Sequence, residues 1–119
     1  MAHAPTVLVV DDEFLLRACA ADFLQEAGFQ VLEAGCREEA ISVLNSASQV
    51  DALFTDVDME CMGEGLVLAR EVSRRWPHIR IVVTSGNHSI THDDIPAQSQ
   101  FIPKPYDIRR VIASVESRP

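Results

Sequence analysis

The sequence predicts a doubly wound α/β fold, in which a parallel sheet of five strands in the order 2-1-3-4-5 carries helices on both faces. Short β-branched runs alternate with segments of helical periodicity along the whole chain. The connections between them are short, which favours parallel strands joined by right-handed crossovers. At 119 residues the chain has the size of one domain, and we expect a single domain over residues 1–119.

Five apolar runs are the candidate strands. The two clearest, residues 6–10 and 79–84, are rich in β-branched residues and end at polar ones, as strands buried on both faces do. Weaker runs of similar length occur at residues 30–33, 52–55 and 100–102. Since helical segments separate these runs, we expect their carboxyl ends to share one edge of the sheet.

Four segments have the apolar spacing of amphipathic helices. In the first, residues from Phe14 to Leu24 supply a broad apolar face, with Asp12 as a candidate cap and Gly28 as a left-handed stop. The last segment follows Asp107, another candidate cap. The later segments lie around residues 40–44, 66–72 and 108–115.

The stretch 87–100 departs from this alternation. It has little apolar periodicity, and Pro96 would interrupt a helix, so we expect the fourth helix to be short, displaced or missing. His88 and His92 lie four positions apart near Asp93, but no cysteine pair joins them. We interpret these histidines as solvated loop residues and not as zinc ligands.

Composition limits the classes of function. With 10 basic and 18 acidic residues the net charge is -8, which argues against direct binding to nucleic acid or to anionic membranes. Cys19, Cys36 and Cys61 are odd in number and far apart, so they predict reduced thiols. No stretch approaches the roughly 20 apolar residues of a membrane span. We therefore expect a cytoplasmic protein without a membrane partner.

Polar residues follow or end four of the predicted strands. Asp11 and Asp12 follow the first strand, Asp56 the third, Ser85 the fourth and Lys104 the fifth. In an open parallel sheet, ligands bind beyond the carboxyl ends where the winding direction reverses, here between strands one and three. Folding should therefore gather these distant residues in one crevice.

The chemistry of this set points to a magnesium-dependent phosphoryl acceptor. Three carboxylates in one crevice repel one another unless a cation lies among them, and Mg²⁺ accepts a few carboxylates while leaving room for a phosphate oxygen. Lys104 adds an ammonium group, and Ser85 adds a hydroxyl able to bind a phosphoryl oxygen. Flanked by these cations, an Asp56 oxygen could attack phosphorus in line and give an aspartyl phosphate.

Four motifs resemble those of the response-regulator receiver family. They are V-L-V-V-D-D at 7–12, L-F-T-D at 53–56, V-V-T-S-G at 82–86 and F-I-P-K-P at 101–105. Each is short, but all four occur in order and at matching spacing across nearly the whole chain. The resemblance implies a flavodoxin-like fold and a role in two-component signalling. It also implies a protein that promotes its own aspartyl phosphorylation and dephosphorylation and is not a conventional turnover enzyme.

The resemblance assigns a role to each residue of the crevice. It implies that Asp56 is the phosphoacceptor and that Lys104 contacts the phosphoryl group. It further implies that Mg²⁺ is bound by Asp11, Asp12, Asp56 and the backbone carbonyl of Asp58.

The same resemblance implies a switch and its partners. Ser85 and Phe101 would be the switch residues, and the peptide bond between Lys104 and Pro105 would be cis. A phosphohistidine on a histidine kinase or a histidine phosphotransfer protein would be the donor, docking on helix one and the loop after Lys104. The face from strand 4 to helix 5 would then signal to an output domain or a partner protein, and a homodimer is a further assembly that the family allows.

Two loops depart from the family pattern. Residues 59–65 lack the usual proline and are one residue longer, which leaves the loop geometry beside the metal open. Residues 87–100 fall where many receivers build their output face. Asp58 and Asn87 match positions that in the family tune the phosphoryl lifetime, although the plainer interpretation of Asp58 is a loop acid without a side-chain role.

Each candidate also has a plainer structural interpretation. Asp11 can simply end its strand in solvent, Asp12 can cap the first helix, and Asp56 can occupy a turn. Ser85 can open a turn, and Lys104 can be a surface charge.

The sequence leaves two rival functions open. L-F-T-D-V-D at 53–58 resembles the Asp-x-Asp of haloacid-dehalogenase-like phosphatases, although that family places the motif on its opening strand. A receiver-like interaction module that is never phosphorylated is the other rival, motivated by the two unusual loops. A stable adduct on Asp56, rapid turnover of a small phosphate substrate, or neither would distinguish the three.

Overall fold

A computed structural model describes residues 4–46, 49–58, 64–87 and 90–116 of the chain. Five parallel strands form one sheet in the order β2-β1-β3-β4-β5, which confirms the predicted fold class and strand order. The predicted strand bounds differ from the observed ones by at most one residue at an end. The strands are β1 (Thr6–Val10), β2 (Gln30–Ala34), β3 (Ala52–Asp56), β4 (Arg80–Ser85) and β5 (Gln100–Pro103).

Helices cover both faces of this sheet. Side chains alternate along each strand, so Leu8 and Leu53 face one side while Val7 and Phe54 face the other. The first side packs against α2 and α3, and the second packs against α1 and α4. The helices are α1 (Phe14–Glu26), α2 (Arg37–Ser46), α3 (Glu64–Arg75) and α4 (Ile108–Glu116). None of these described helices has the length and apolar character needed to traverse a bilayer.

A single 3₁₀ turn, His92–Asp94, is the only helical element among the described residues between β4 and β5, so the expectation of a short or missing helix there is confirmed. The Thr91 hydroxyl accepts the Asp93 N–H, and the Asp94 carboxylate accepts the Thr91 N–H. Arg70 of α3 also donates to the Asp94 carbonyl at 3.0 Å. Residues 88–89 lie outside the described part, and so does the side chain of His92.

The predicted broad apolar face of α1 is only partly buried. Ala20, Ala21 and Leu24 are buried, whereas Phe14 and Leu15 are 66% and 74% exposed. The buried residues of α1 all lie in its second half, and the large apolar side chains of its first turn are exposed. The predicted stop is confirmed, because Gly28 has a φ of 101°.

The start of α1 differs from the prediction in its cap. Glu13 occupies the N-cap position and makes no side-chain capping bond, so the expectation that Asp12 caps this helix is wrong. The Glu13 N–H is instead accepted by the Asp11 carboxylate at 2.8 Å. Asp12 lies two positions beyond the end of β1, and its carboxylate belongs to the same group as those of Asp11 and Asp56. At α4 the predicted cap is confirmed, since Asp107 accepts the Arg109 N–H at 2.9 Å.

Candidate functional site

The register of the sheet brings the predicted site residues to one edge. Asp56 at the end of β3 lies opposite Thr84 of β4, and Ser85 lies opposite Pro103 of β5. Because all strands run in the same direction, the residues that end or follow β1, β3, β4 and β5 meet above the carboxyl edge. The sequence predicted this convergence.

Three carboxylates form the acidic part of the site. Oxygens of Asp11, Asp12 and Asp56 all lie within 4.8 Å of one another, and this group could hold a metal ion. Asp56 is 3% exposed and Asp11 is 7% exposed. Burial raises the pKa of Asp11, and the charge of Asp56 adds to that rise, while the hydrogen bond from Glu13 N–H opposes it. The charge of Lys104 also opposes the rise, but it does not cancel the effect of burial on the Asp11 carboxylate.

This donor set fits a hard divalent ion. Carboxylate oxygens are the ligands that Mg²⁺ prefers, and a site with few protein ligands leaves positions for water or a phosphoryl oxygen. Burial and the charges of Asp56 and Asp12 raise the pKa of Asp11, and a cation bound among these carboxylates would favour its ionised form. The carbonyl of Asp58 as a further ligand remains a prediction, and residues 59–63 of the unusual loop lie outside the described part.

Lys104 supplies the positive charge of the site. Its Nζ lies 3.0 Å from Oδ2 of Asp56 and 3.4 Å from Oδ2 of Asp58. Burial opposes the charged ammonium, but these two carboxylates outweigh it and raise the pKa of Lys104. The peptide bond before Pro105 is cis, as the resemblance implied, and Lys104 N–H donates to the Ser85 carbonyl at 2.9 Å. The lysine is thus anchored to β4 and directed at Asp56.

The Asp58 side chain takes part in the site, which the plainer interpretation of this residue did not foresee. The Ser85 hydroxyl donates to Asp58 Oδ1 at 2.6 Å, and the Gly86 N–H donates to Oδ2 at 2.7 Å. Burial alone would raise the pKa of Asp58, but these bonds and Lys104 lower it. The acidic residue type was visible in the sequence, whereas its position over β4 was not.

The proposed switch residues lie on neighbouring strands. Ser85 is 1% exposed, and its hydroxyl oxygen accepts the Asn87 N–H at 2.9 Å. Phe101 is partly buried and packs against the apolar layer beneath α2 and α3. Their roles in switching remain predictions.

Comparison with known proteins decides the family. Residues 7–116 match the family described as "Response regulator receiver domain". This chain is a member of the response regulator receiver family. It shares 30% identity with the sensor kinase CckA of Brucella abortus, over 98% of this chain and 13% of that protein. It shares 31% identity with the regulatory protein DctD of Rhizobium meliloti, over 96% of this chain and 25% of that protein.

A solved structure shows the same receiver fold. The response regulator receiver protein from Sinorhizobium medicae superposes with a TM-score of 0.85 at 28% identity, covering 95% of this chain and 92% of that one. The two curated relatives named above are much longer, and this chain spans between 13% and 25% of their length. Because residues 7–116 match the receiver family, the resemblance of residues 53–58 to haloacid-dehalogenase-like phosphatases does not define the family of this chain.

Proposed function

We propose that this receiver domain accepts a phosphoryl group from a phosphohistidine onto Asp56 in the presence of Mg²⁺. One observation carries the proposal. The buried Asp56 carboxylate has the Lys104 ammonium 3.0 Å from one of its oxygens and lies in one group with the Asp11 and Asp12 carboxylates. The donor would belong to a histidine kinase or a histidine phosphotransfer protein.

The residues divide the work of the transfer. An Asp56 oxygen forms the new bond to phosphorus while the bond from phosphorus to the donor imidazole breaks and the imidazole leaves. Lys104 neutralises charge on the transferred group, and the Ser85 hydroxyl can donate to one of its oxygens. Asp11, Asp12, Asp56 and the Asp58 carbonyl would hold Mg²⁺, which when bound supplies electrostatic stabilisation of the phosphoryl oxygens. The domain itself carries the transferred group afterwards, so it is not a conventional turnover enzyme.

The surface beside Lys104 fits the docking of the donor. A groove of about 590 Å³ lies between α1 and the segment that joins β5 to α4. Its lining is mainly apolar, and Phe23 at its edge is 50% exposed. Lys104 itself borders the groove, so a protein seated there would lie close to Asp56. Apolar contact around a nearby charged site suits a transient partner.

Phosphorylation would then switch the predicted face from strand 4 to helix 5, in which helix 5 is the observed α4 that follows β5. A phosphoryl group on Asp56 would attract the Ser85 hydroxyl and change how Phe101 packs, shifting the balance between two arrangements. An output domain, a separate partner or a second copy of the domain would read that face. Identical rotamers of Ser85 and Phe101 in unmodified and beryllofluoride-bound crystals would place the switch elsewhere.

The proposed transfer is tested with acetyl phosphate as a small donor. Wild type and Asp56→Asn are incubated with the donor and Mg²⁺, and their intact masses are measured. We expect the mass of one phosphoryl group to be added to wild type only. Rapid multiple turnover of phosphate would indicate a phosphatase instead. If neither acetyl phosphate nor a phosphohistidine donor gives an adduct, the chain is the interaction module that is never phosphorylated.

Replacing Asp11 by asparagine should separate two effects on the free energy of unfolding, namely repulsion among the clustered carboxylates and stabilisation by bound Mg²⁺. Since the pKa of Asp11 is raised above its ordinary value of 3.8, the folded chain holds this proton to higher pH than the unfolded chain does. The protonated Asp11 stabilises the folded chain at pH values below its ordinary pKa, and this contribution is lost as the pH rises through the raised pKa of the folded chain. Without Mg²⁺ at pH 7, we therefore expect Asp11→Asn to unfold at higher urea concentration than wild type.

Addition of Mg²⁺ should reverse that order. At a concentration 100-fold above its Kd, a ligand of the folded state stabilises by about 2.7 kcal/mol, and wild type should show this gain while Asp11→Asn shows much less. Ca²⁺-free and Mg²⁺-free buffer with EDTA provides the baseline, and Asp22→Asn on the exposed side of α1 controls for surface charge. If Mg²⁺ stabilises wild type and Asp11→Asn equally, Asp11 is not a ligand of the metal ion.

A further inference from the structure

We propose that the Asp58 carboxylate is an internal competitor of the phosphoryl group. It occupies the Ser85 hydroxyl and the Gly86 amide in the unmodified protein, and it must release them when Asp56 is phosphorylated. This inference rests on the proposed function, because it concerns the regulation of the same site. It assigns a role in the resting state to a side chain whose backbone alone entered the predicted site.

The competition follows from the number of hydrogens available. Ser85 has one hydroxyl hydrogen and Gly86 one amide hydrogen, and both are donated to Asp58, at 2.6 Å and 2.7 Å. Bonds to an ionised acceptor at such distances are among the stronger ones in proteins. A phosphoryl oxygen that takes the Ser85 hydrogen must therefore displace Asp58 Oδ1.

Lys104 is divided between the same two carboxylates. Its Nζ lies 3.0 Å from Asp56 and 3.4 Å from Asp58, so Asp58 already shares the cation that the phosphoryl group would need. A phosphoryl group adds about 1.5 to 2 negative charges at pH 7, which repel an ionised carboxylate placed on the same donors. The charge and the hydrogen-bond count thus act in the same direction.

The link between Asp58 and the acceptor is direct. Asp58 N–H donates to Asp56 Oδ1 at 2.7 Å, while Asp56 Oδ2 accepts from Lys104. Phosphorylation of either oxygen, which forms a mixed anhydride, alters one of these two bonds and so disturbs the hydrogen bond of Asp58 or that of Lys104. The Ser85 hydroxyl would then donate to a phosphoryl oxygen instead of the Asp58 carboxylate. Because displacing Asp58 costs free energy, the site binds its phosphoryl group with a lower apparent affinity.

The test is titration calorimetry with beryllofluoride and Mg²⁺, a non-reacting mimic of the phosphoryl group. Asp58→Ala should bind beryllofluoride roughly tenfold more tightly than wild type, the effect expected from freeing one charge-assisted hydrogen bond. Asp58→Asn, which keeps an acceptor oxygen but loses the charge, should lie between them. Asp22→Asn, which removes the same negative charge from an exposed position of α1, should bind beryllofluoride as wild type does.

A double-mutant cycle with Ser85→Ala separates competition from simple loss of negative charge. If Asp58 acts by occupying Ser85, the gain from Asp58→Ala should shrink in the Ser85→Ala background. Loss of charge alone would give the same gain in both backgrounds and would overturn the inference. Weaker or unchanged binding by Asp58→Ala would overturn it as well.

Amide hydrogen exchange gives a readout without any phosphoryl mimic. In the unmodified protein, Asp58→Ala should speed exchange at the Gly86 amide, which loses its acceptor, while exchange in the buried strand β1 stays unchanged. Equal exchange at Gly86 in wild type and Asp58→Ala would contradict the resting contact. If wild type and every variant fail to bind beryllofluoride, the proposed phosphorylation itself fails and this inference with it. If wild type and the Asp58 variants bind beryllofluoride with equal affinity, only this inference fails and the proposed phosphorylation stands.

Discussion

Lys104→Met is expected to slow phosphorylation of Asp56 by about 100-fold or more, the loss typical when one preorganised charged group is removed from a reacting centre. Methionine keeps much of the length of the lysine side chain, so packing beside Tyr106 and Pro105 should change little. The Asp56 carboxylate, however, would lose the cation that now lies 3.0 Å away. The rate is measured from the growth of the phosphorylated mass with time, at saturating Mg²⁺ and acetyl phosphate.

The matched variant Lys104→Arg tests whether charge alone is sufficient. Arginine keeps the charge but presents a planar, longer group, and we expect it to recover only part of the rate. Circular dichroism and unfolding curves should show that both variants are folded. A Lys104→Met protein that is phosphorylated as fast as wild type would mean that Lys104 is only an ion-pair partner of Asp56.

Gly65→Ala should destabilise the fold by about 1–3 kcal/mol, because the new methyl group has no space. A Cβ at this second residue of α3 would lie 2.5 Å from the Asp56 carbonyl oxygen and 2.5 Å from Val57 Cα, so backbone must move. The displaced backbone is that of the acceptor itself. We therefore expect both a lower urea midpoint and slower phosphorylation of Asp56.

Gly86→Ala is the control for this glycine substitution. Its Cβ would meet nothing closer than 3.7 Å, and Gly86 has no positive φ, so its urea midpoint should stay equal to wild type or rise slightly. If Gly65→Ala is as stable as Gly86→Ala, then α3 can move away from β3 at little cost. In that case the close approach of the two elements does not constrain Asp56.

The fold was predictable because its signals are local and agree with one another. Each β-branched run ends at a polar residue, helical spacing fills the gaps, and parallel pairing then requires the ends of the strands to meet. Gly28 and Asp107 were predicted from the conformations and hydrogen bonds that helix ends need. The lack of apolar spacing after Asn87 predicted a fourth helix that is short, displaced or missing, and the described residues 90–99 contain only a 3₁₀ turn.

The errors concern choices that depend on packing between distant segments. Asp11 and Asp12 offer the same carboxylate to the start of α1, and only the path of the backbone decides that Asp11 binds the Glu13 amide. Phe14 has the residue type and spacing of a buried position but is 66% exposed, because only the second half of α1 is buried, at Ala20, Ala21 and Leu24. The bond from Ser85 to Asp58 joins residues 27 positions apart, and its formation depends on two neighbouring strand ends.

The order of the strands in the sheet differs from their order in the chain, and this has a consequence for protein synthesis. β1 lies in the interior of the sheet and leaves the ribosome first, whereas Lys104 follows the edge strand β5 and emerges near the end of the described residues. A nascent chain that has exposed β1 to β4 thus carries the three acids without their ammonium counterion. The three carboxylates and the ammonium group of Lys104 can therefore meet only after β5 has been synthesised.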